Sequence, residues 1–372
     1  MSATAFGDVY AVPQELRDFQ ATIRQMARER IAPRAAEIDR TGEYPWDVRE
    51  LLAEHDVFAL PFAEEWGGTG TGTLMLMVHE LGSLPVQRFG SDELKRRILP
   101  RLASGEWVPA FALSEAEAGS DVAAMRTRAR LDGEEWVIDG AKAWITNAGV
   151  ADYYVVFAVT DRDARRVTAF VVERDRPGVS IGKLEHKLGI KGSPTGSPVF
   201  DGVRVPAENV IGAVGDGLRV ALGTLERTRL GAAAQAVGIA QGATDYANAY
   251  AGERVAFGAP INRLQGIQFK LAEMETRTAA ARELLYKACA LADRPHPPAD
   301  LGKWTSMAKL FASDTAMAVT VEAIQVLGGY GYVSEYPVER MLRDAKITQI
   351  YEGTNEIQRV VIARAMSEGT RP

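Results

Sequence analysis

Three separated segments of the chain carry residues that could do chemistry. Residues 111–121 (FALSEAEAGSD) begin as a strand and end in a turn of small residues, where N–H groups and a hydroxyl could contact a phosphate or a flavin edge. Residues 144–148 (WITNA) place an aromatic ring and a hydroxyl on a strand that ends in a turn, although Trp144 could equally lie in a core. Glu352 precedes Gly353 between two helical stretches, so its carboxylate could point into a cleft as a base, although an exposed helix-end position is the commoner one. Each segment alone is also compatible with ordinary structure.

Several other chemistries lack support in the sequence. His55, His79, His186 and His296 lie far apart and form no H-x-x-x-H pair, so we expect no metal site. There is no G-x-S-x-G motif, and residues 68–72 (GTGTG) are neither a G-x-G-x-x-G fingerprint after a strand nor a phosphate loop. A nucleotide cofactor would therefore need an architecture other than a Rossmann unit.

Composition narrows the class of protein. The chain has 372 residues, of which 47% are hydrophobic and 25% charged, enough for two or three packed units. A net charge of −6 argues against nucleic-acid binding, and a single cysteine, Cys289, excludes an intramolecular disulfide. The longest apolar runs, such as residues 153–159, are strand-sized, and the first residues show no signal pattern. We expect a cytoplasmic protein without a membrane span.

The hydrophobic pattern changes twice along the chain. Residues 14–30 carry apolar side chains three and four apart, which predicts an amphipathic helix, and further helices are expected at 45–52 and 92–102. Short β-branched and aromatic runs then predict strands at 136–140, 153–160 and 167–172. Long helical segments follow at 218–252, 267–292, 303–327 and 337–366, the last interrupted at Gly353.

This pattern predicts a multi-domain α+β fold. An N-terminal α-helical domain spans residues 1–107, a central all-β domain spans 108–217, and a C-terminal four-helix bundle spans 218–372. The first two chemical segments fall in the β domain and the third falls in the bundle. The fold must therefore bring distant parts of the chain together if they serve one site.

In their order and spacing, the three segments resemble the acyl-CoA dehydrogenase family of flavoproteins, over nearly the whole chain. The resemblance implies FAD bound without a Rossmann unit. Two β-domain motifs of the family are matched by Phe111, Leu113, Ser114, Gly119, Ser120, Trp144, Ile145 and Thr146. The match implies that these residues contact the flavin ring and the pyrophosphate.

The resemblance also implies a homotetramer, because some matched segments reach the FAD of a neighbouring subunit. These residues are Arg254, Phe257, Gln265, Gln325, Val326, Leu327, Gly328 and Gly329. From the sequence alone, a solvated helix charge remains the alternative reading of Arg254. A further FAD-binding turn is matched by Thr354, Asn355 and Glu356.

The implied reaction is α,β-dehydrogenation of an acyl-CoA thioester to the trans-2-enoyl-CoA, a step of fatty-acid β-oxidation. Glu352 would remove the α-proton while the β-hydrogen leaves as hydride to the flavin, and an electron-transfer flavoprotein would take the electrons. A flavin ribityl hydroxyl and the N–H of the catalytic Glu would polarise the thioester carbonyl. Substrate-contact positions are matched by Ser120, Glu226, Arg229, Gly353 and Arg364, of which Arg364 could also be a helix-surface charge.

One branch of the family, typified by isovaleryl-CoA dehydrogenase, places its catalytic Glu directly before an Arg on the first bundle helix. That position is Thr228 here, directly before Arg229, so the arrangement resembles the short- and medium-chain branch. The alternatives are an acyl-CoA oxidase, a glutaryl-CoA-type decarboxylating dehydrogenase and a non-enzymatic, DNA-associated flavoprotein.

The chain departs from the family between Gly72 and Leu81. It is shorter there by roughly twenty residues, equivalent to about 30 Å of helix, in a segment that lines the acyl pocket of relatives. A true deletion would open the core of the N-terminal domain, so we expect the natural protein to carry the segment.

Overall fold

The computed structural model describes residues 14–69 and 77–368. Residues 70–76 lie outside the described residues, and they include the first part of the stretch between Gly72 and Leu81 where the sequence departs from the family. Contacts between residues divide the chain into two compact units. The first unit comprises Gly42–Ala232 and Ile350–Gln358, and the second unit comprises Met1–Thr41, Ala233–Gln349 and Arg359–Pro372.

Helices at both ends of the described chain flank a set of strands. The helices are α1 (Gln14–Met26), α2 (Ala35–Thr41), α3 (Trp46–Glu54), α4 (Met77–Phe89), α5 (Asp92–Ala103), α6 (Gly217–Glu253), α7 (Gln265–Ala292), α8 (Leu301–Leu327), α9 (Val338–Ile347) and α10 (Asn355–Glu368). The strands are β1 (Pro109–Ala112), β2 (Arg128–Asp132), β3 (Glu135–Ala141), β4 (Ile145–Thr146), β5 (Tyr153–Asp161), β6 (Arg166–Glu173), β7 (Val179–Leu184), β8 (Thr195–Pro206), β9 (Val210–Ile211), β10 (Val255–Ala256) and β11 (Ala259–Pro260). The predicted order of helices, central sheet and long C-terminal helices is confirmed.

The main sheet belongs to the first unit. Its strands run in the order β4-β8-β3-β2-β5-β6-β9, with β1 parallel to β5 and β7 on β8. Side chains of a strand alternate between the two faces, and β5 uses both. Tyr153 and Val155 enter one core with α4 and α5, whereas Tyr154 and Val156 enter a second core with Phe200. This two-sided burial explains why residues 153–159 read as a continuous apolar run.

Two elements differ from the sequence prediction. The first helix keeps α-helical hydrogen bonding only to Met26, and a short π-helix (Ala27–Ile31) follows it. β4 contains only Ile145 and Thr146, because Trp144 before it and Asn147 after it both have positive φ. Trp144 therefore lies on a turn and not on a strand.

In the second unit, α7 packs along α8, and α8 packs along α9. The stretch Leu301–Tyr332 also meets the length and hydropathy of a membrane span, a feature that the sequence analysis did not single out. Half of its most apolar window is buried inside the protein, and Ser306 and Lys309 are among its fully buried residues. Buried polar side chains of this kind are typical of the core helix of a bundle.

His79, near the start of α4, is 5% exposed and packs against the rings of Phe58 and Phe62, with centroid distances of 4.9 and 5.8 Å. Burial, reinforced by the charge of Arg49, lowers the pKa of His79 from 6.5 to about 3. Between these two pH values the unfolded chain binds a proton at His79 and the folded chain does not. The folded state must therefore lose stability as the pH falls through this window.

We expect this loss to be about 1.4 kcal/mol per pH unit below about pH 6.5. His79→Leu should make the thermal unfolding midpoint less sensitive to acidification from about pH 7 to about pH 5. The matched control is His186→Leu at an exposed histidine, which should keep the wild-type pH dependence. An acid-sensitivity identical in His79→Leu and wild type would contradict the assignment.

Candidate active site

Glu352 occupies a strained turn directly before α10. Its φ is +56° and Gly353 follows with a φ of +85°. The Glu352 residue is 7% exposed, and the Thr228 hydroxyl donates a 2.7 Å hydrogen bond to its Oε2 atom. The structure thus shows a buried carboxylate, not the exposed helix-end Glu that the sequence left open. This hydrogen bond joins Glu352 to Thr228, the position that the resemblance matched to the alternative place of the base.

The main chain of this turn is held from two directions. Arg229 Nε donates to the Glu352 carbonyl at 3.3 Å, and Gln358 Nε2 donates to the same oxygen at 3.1 Å. Burial lowers the pKa of the Arg229 guanidinium, and the carboxylates of Glu352 and Glu226 oppose that shift. Sequence reasoning did not single out Gln358. The only signal was its place six residues after the candidate base.

The residues after the turn begin α10. The Thr354 hydroxyl accepts a 3.4 Å hydrogen bond from the N–H of Ile357, as an N-cap residue does. Asn355 is buried and Glu356 is exposed in the first turn of the helix. Further along α10, Arg364 is exposed, which agrees with the surface-charge alternative for this residue.

Hydrogen bonds to main-chain carbonyls of the first β-domain motif come from residues 142 and 143, directly before the second motif. The Ala143 N–H donates to the Ser114 carbonyl at 2.9 Å, and Lys142 Nζ donates to the Leu113 carbonyl at 3.1 Å. Phe111, Leu113 and Ile145 are buried, Ser114 and Thr146 are half-buried, and Gly119 and Ser120 are exposed. The Trp144 side chain is 63% exposed on its left-handed turn, so the core alternative for this residue is wrong.

A buried ion pair links Glu115 of the first motif to Lys142, which precedes the second motif. Lys142 Nζ lies 2.8 Å from Glu115 Oε1, and the Lys142 side chain is fully buried. Glu115 also accepts the N–H groups of Arg126 and Thr127 at 2.6 and 3.0 Å. Burial lowers the pKa of Lys142 to about 8. Burial acts to raise the pKa of Glu115, but Lys142, Thr127 and the N–H of Arg126 outweigh it and hold that pKa below its usual value. The sequence analysis missed this pair.

The residues matched to a neighbouring subunit's cofactor lie in the second unit. Phe257 is 93% exposed with a φ of +53°, and the Arg254 guanidinium lies 5.4 Å from the centre of the Tyr330 ring. Gln265, Gln325, Gly328 and Gly329 are exposed, whereas Val326 and Leu327 are buried. A bulky residue rarely adopts a positive φ, and Phe257 shares this strained conformation with Trp144 and Glu352.

The donor set of the β-domain motifs fits FAD. Within the described part of the chain, the hydroxyls of Ser114, Ser120 and Thr146 make no hydrogen bond. They are neutral donors, and the same two motifs carry the exposed indole of Trp144, a combination that suits an aromatic heterocycle with polar edges. The same described residues contain no group of three or more His, Cys, Asp or Glu side chains that could hold a metal ion.

Comparison with known proteins assigns the family. Residues 13–80 together with 70–106 match the family model for the acyl-CoA dehydrogenase N-terminal domain, residues 110–203 match the middle domain, and residues 215–367 match the C-terminal domain. An acyl-CoA dehydrogenase of Bacillus subtilis is 43% identical, with 96% of this chain and 100% of the relative covered. Butyryl-CoA dehydrogenase from Megasphaera elsdenii is 38% identical, with a TM-score of 0.92 and coverage of 96% and 99%. The chain belongs to the acyl-CoA dehydrogenase family and is an oxidoreductase.

A second solved structure bears on ligands. It is a glutaryl-CoA dehydrogenase from Mycobacterium smegmatis in complex with FADH2, 29% identical, with a TM-score of 0.90 and coverage of 98% and 97%.

The match to the Bacillus relative extends over 380 positions yet covers 96% of the 372 residues here, so the relative has about twenty residues without a counterpart. The N-terminal family model matches in two pieces that meet at residues 70–80, where the sequence analysis places the shortening. Presence of the segment in the natural protein stays a prediction.

Proposed function

We propose that the protein oxidises an acyl-CoA thioester to the trans-2-enoyl-CoA with Glu352 as the base. The observation that carries the proposal is the buried Glu352 carboxylate, which accepts a hydrogen bond from Thr228. It lies on a strained turn whose main chain accepts hydrogen bonds from Arg229 and Gln358. Strain of this kind persists only where the surrounding structure enforces it, and it is concentrated at active sites. We also propose that the N-terminal domain ends at residue 107 and the middle domain at residue 217.

The Glu352 carboxylate accepts the α-proton of the substrate. An α-C–H is too weak an acid for a carboxylate unless the thioester carbonyl is polarised, and we assign part of that task to the N–H of Glu352 itself. The left-handed turn fixes this N–H and the carboxylate of the same residue relative to one another. One residue can therefore supply both the proton acceptor and a hydrogen-bond donor.

FAD is the proposed cofactor, and when bound it supplies the acceptor for the β-hydrogen and its electron pair. Ser114, Ser120 and Thr146 would donate hydrogen bonds to it, and the exposed side chain of Trp144 would contact it. Thr354, Asn355 and Glu356, together with Arg254, Phe257, Gln265 and residues 325–329 of a partner copy, complete the proposed FAD site. The last group requires a homo-oligomer, which we propose is a tetramer.

Electron-transfer flavoprotein is the proposed electron acceptor, and we propose a cytoplasmic location. A structure described as the electron transferring flavoprotein of Acidaminococcus fermentans resembles this chain with a TM-score of 0.92 at 38% identity, which supports a related electron-transfer system. Ser120, Glu226, Arg229 and Gly353 are the proposed substrate contacts. Arg364, which is exposed, is proposed as a further substrate contact.

Anaerobic flavin bleaching by acyl-CoA thioesters tests the proposal. Butyryl-CoA or octanoyl-CoA should bleach the flavin absorbance, and re-oxidation should require electron-transfer flavoprotein or a dye. Stoichiometric O₂ consumption would identify an oxidase instead, and bleaching by glutaryl-CoA with release of CO₂ would identify a decarboxylating dehydrogenase. Failure of every thioester to bleach the flavin would refute the proposal.

A further inference from the structure

Gln358 is a fully buried glutamine that faces the Glu352 turn. Its Nε2 atom donates to the Glu352 carbonyl at 3.1 Å and to the Gly353 carbonyl at 2.8 Å. Each of the two N–H bonds of the amide thus faces a separate acceptor. Two carbonyl oxygens can be faced only by the NH₂ group, so the orientation of the amide is determined.

The two carbonyls that Gln358 holds belong to consecutive residues in the left-handed region. Glu352 has a φ of +56° and Gly353 a φ of +85°. A glutamate does not favour this conformation, so the turn needs contacts that exist only when it is formed. The two hydrogen bonds from Gln358 are such contacts, because relaxation of either residue would turn a carbonyl away from the amide.

Gly353 and Gln358 are also packed against each other. A Cβ atom added at Gly353 would lie 2.9 Å from Gln358 Nε2 and 3.4 Å from Ile357 Cγ2. The amide therefore fills the space that a side chain at position 353 would need. Gln358 consequently fixes the turn by contact as well as by hydrogen bonds.

The side chain of Glu352 depends on the same backbone. In this backbone conformation the carboxylate lies 2.7 Å from the Thr228 hydroxyl, and Thr228 lies on a different element, α6. If the turn relaxes, the carboxylate and the N–H of Glu352 change direction together. The groups that would meet the α-carbon and the thioester oxygen would then no longer be aligned.

We propose that Gln358 is the positioning residue of the base: it holds the Glu352–Gly353 turn in the one conformation in which the carboxylate and the N–H of Glu352 serve the same substrate. The catalytic part of this inference rests on the proposed function. Its structural part, that Gln358 fixes the turn, does not.

Gln358→Met tests both parts, because methionine has a similar length and no N–H to donate. Gln241→Met is the matched control, since Gln241 on α6 also donates from its amide, to Asp245 at 2.7 Å, and belongs to the other unit. Amide hydrogen exchange of the protein without substrate should accelerate in peptides covering residues 351–355 of Gln358→Met. Other peptides, and the control variant, should match wild type across this segment.

In anaerobic bleaching by butyryl-CoA, Gln358→Met should be slower by about 10- to 100-fold, because small misplacements of a reacting group have effects of this size. The substrate concentration for half-maximal rate should change far less, and Gln241→Met should behave as wild type. A spectroscopic readout separates removal of the α-proton from transfer of the β-hydrogen. A thioester with sulfur at the β-position can lose its α-proton but has no β-hydrogen to transfer. The long-wavelength absorbance of its complex should fall in Gln358→Met.

The outcomes distinguish this inference from the function on which it rests. Faster exchange in residues 351–355 of Gln358→Met, in a protein whose wild type no acyl-CoA bleaches, would keep the structural part and refute the proposed function. Bleaching of wild type with an unchanged rate in Gln358→Met would overturn only the role of Gln358. A loss of rate with unchanged exchange at the turn, or with faster exchange throughout the protein, would also overturn it.

Discussion

Replacement of Glu352 by Gln is expected to leave a yellow, FAD-containing protein that acyl-CoA thioesters no longer bleach. Gln keeps the size of the side chain and can still accept the hydrogen bond from Thr228, so the turn should persist. It cannot take a proton from the α-carbon. Loss of a positioned general base predicts a rate at least about a hundredfold lower.

Stopped-flow bleaching with butyryl-CoA and octanoyl-CoA measures this effect. Glu208→Gln is the control, because Glu208 is an exposed glutamate of the same unit with no role in the proposed site. It should bleach at the wild-type rate. A Glu352→Gln variant that bleached nearly as fast as wild type would remove Glu352 from its role.

The second large effect is expected at Lys142. Lys142→Met would leave the Glu115 carboxylate buried without its cation, a change that typically destabilises a protein by about 3–5 kcal/mol. The hydrogen bond from Lys142 Nζ to the Leu113 carbonyl would be lost as well, so the β-domain motif would be held less firmly. We therefore expect a lower thermal midpoint together with weaker FAD retention.

Two further variants show whether loss of the ion pair causes the lower stability of Lys142→Met. Lys142→Met combined with Glu115→Gln should recover part of the stability, because the buried charge is then absent from both partners. Lys183→Met removes the ion pair of an exposed lysine with Glu185, 2.6 Å long in the same unit, and should cost less than about 1 kcal/mol. A double variant no more stable than Lys142→Met would contradict this explanation.

The general organisation could be predicted because it depends on local patterns. The apolar run at 153–159 predicted a strand, and the placement of Glu352 before a glycine between helical segments marked a turn that could hold a base. Both features depend on a few adjacent residues. The family resemblance extended them to residues that have no local signal of their own, such as Phe257.

The contacts that hold the site could not be predicted in the same way. Thr228 and Glu352 are 124 positions apart, and only the fold shows that they share a hydrogen bond. Lys142 and Glu115 are charged residues, which are mostly exposed, so nothing local indicated that they lie buried and paired. Gln358 was missed for a related reason: its function depends on burial against two carbonyl groups, which a helical amphipathic pattern does not reveal.

The fate of the α-hydrogen tests most directly whether Glu352 is the base. The holoenzyme can be incubated in D₂O with a thioester that has sulfur at the β-position, and deuterium at its α-carbon measured by mass spectrometry. Wild type and Glu208→Gln should incorporate deuterium, and Glu352→Gln should not exceed the rate in buffer alone. Incorporation by Glu352→Gln at the wild-type rate would contradict the assignment of the base.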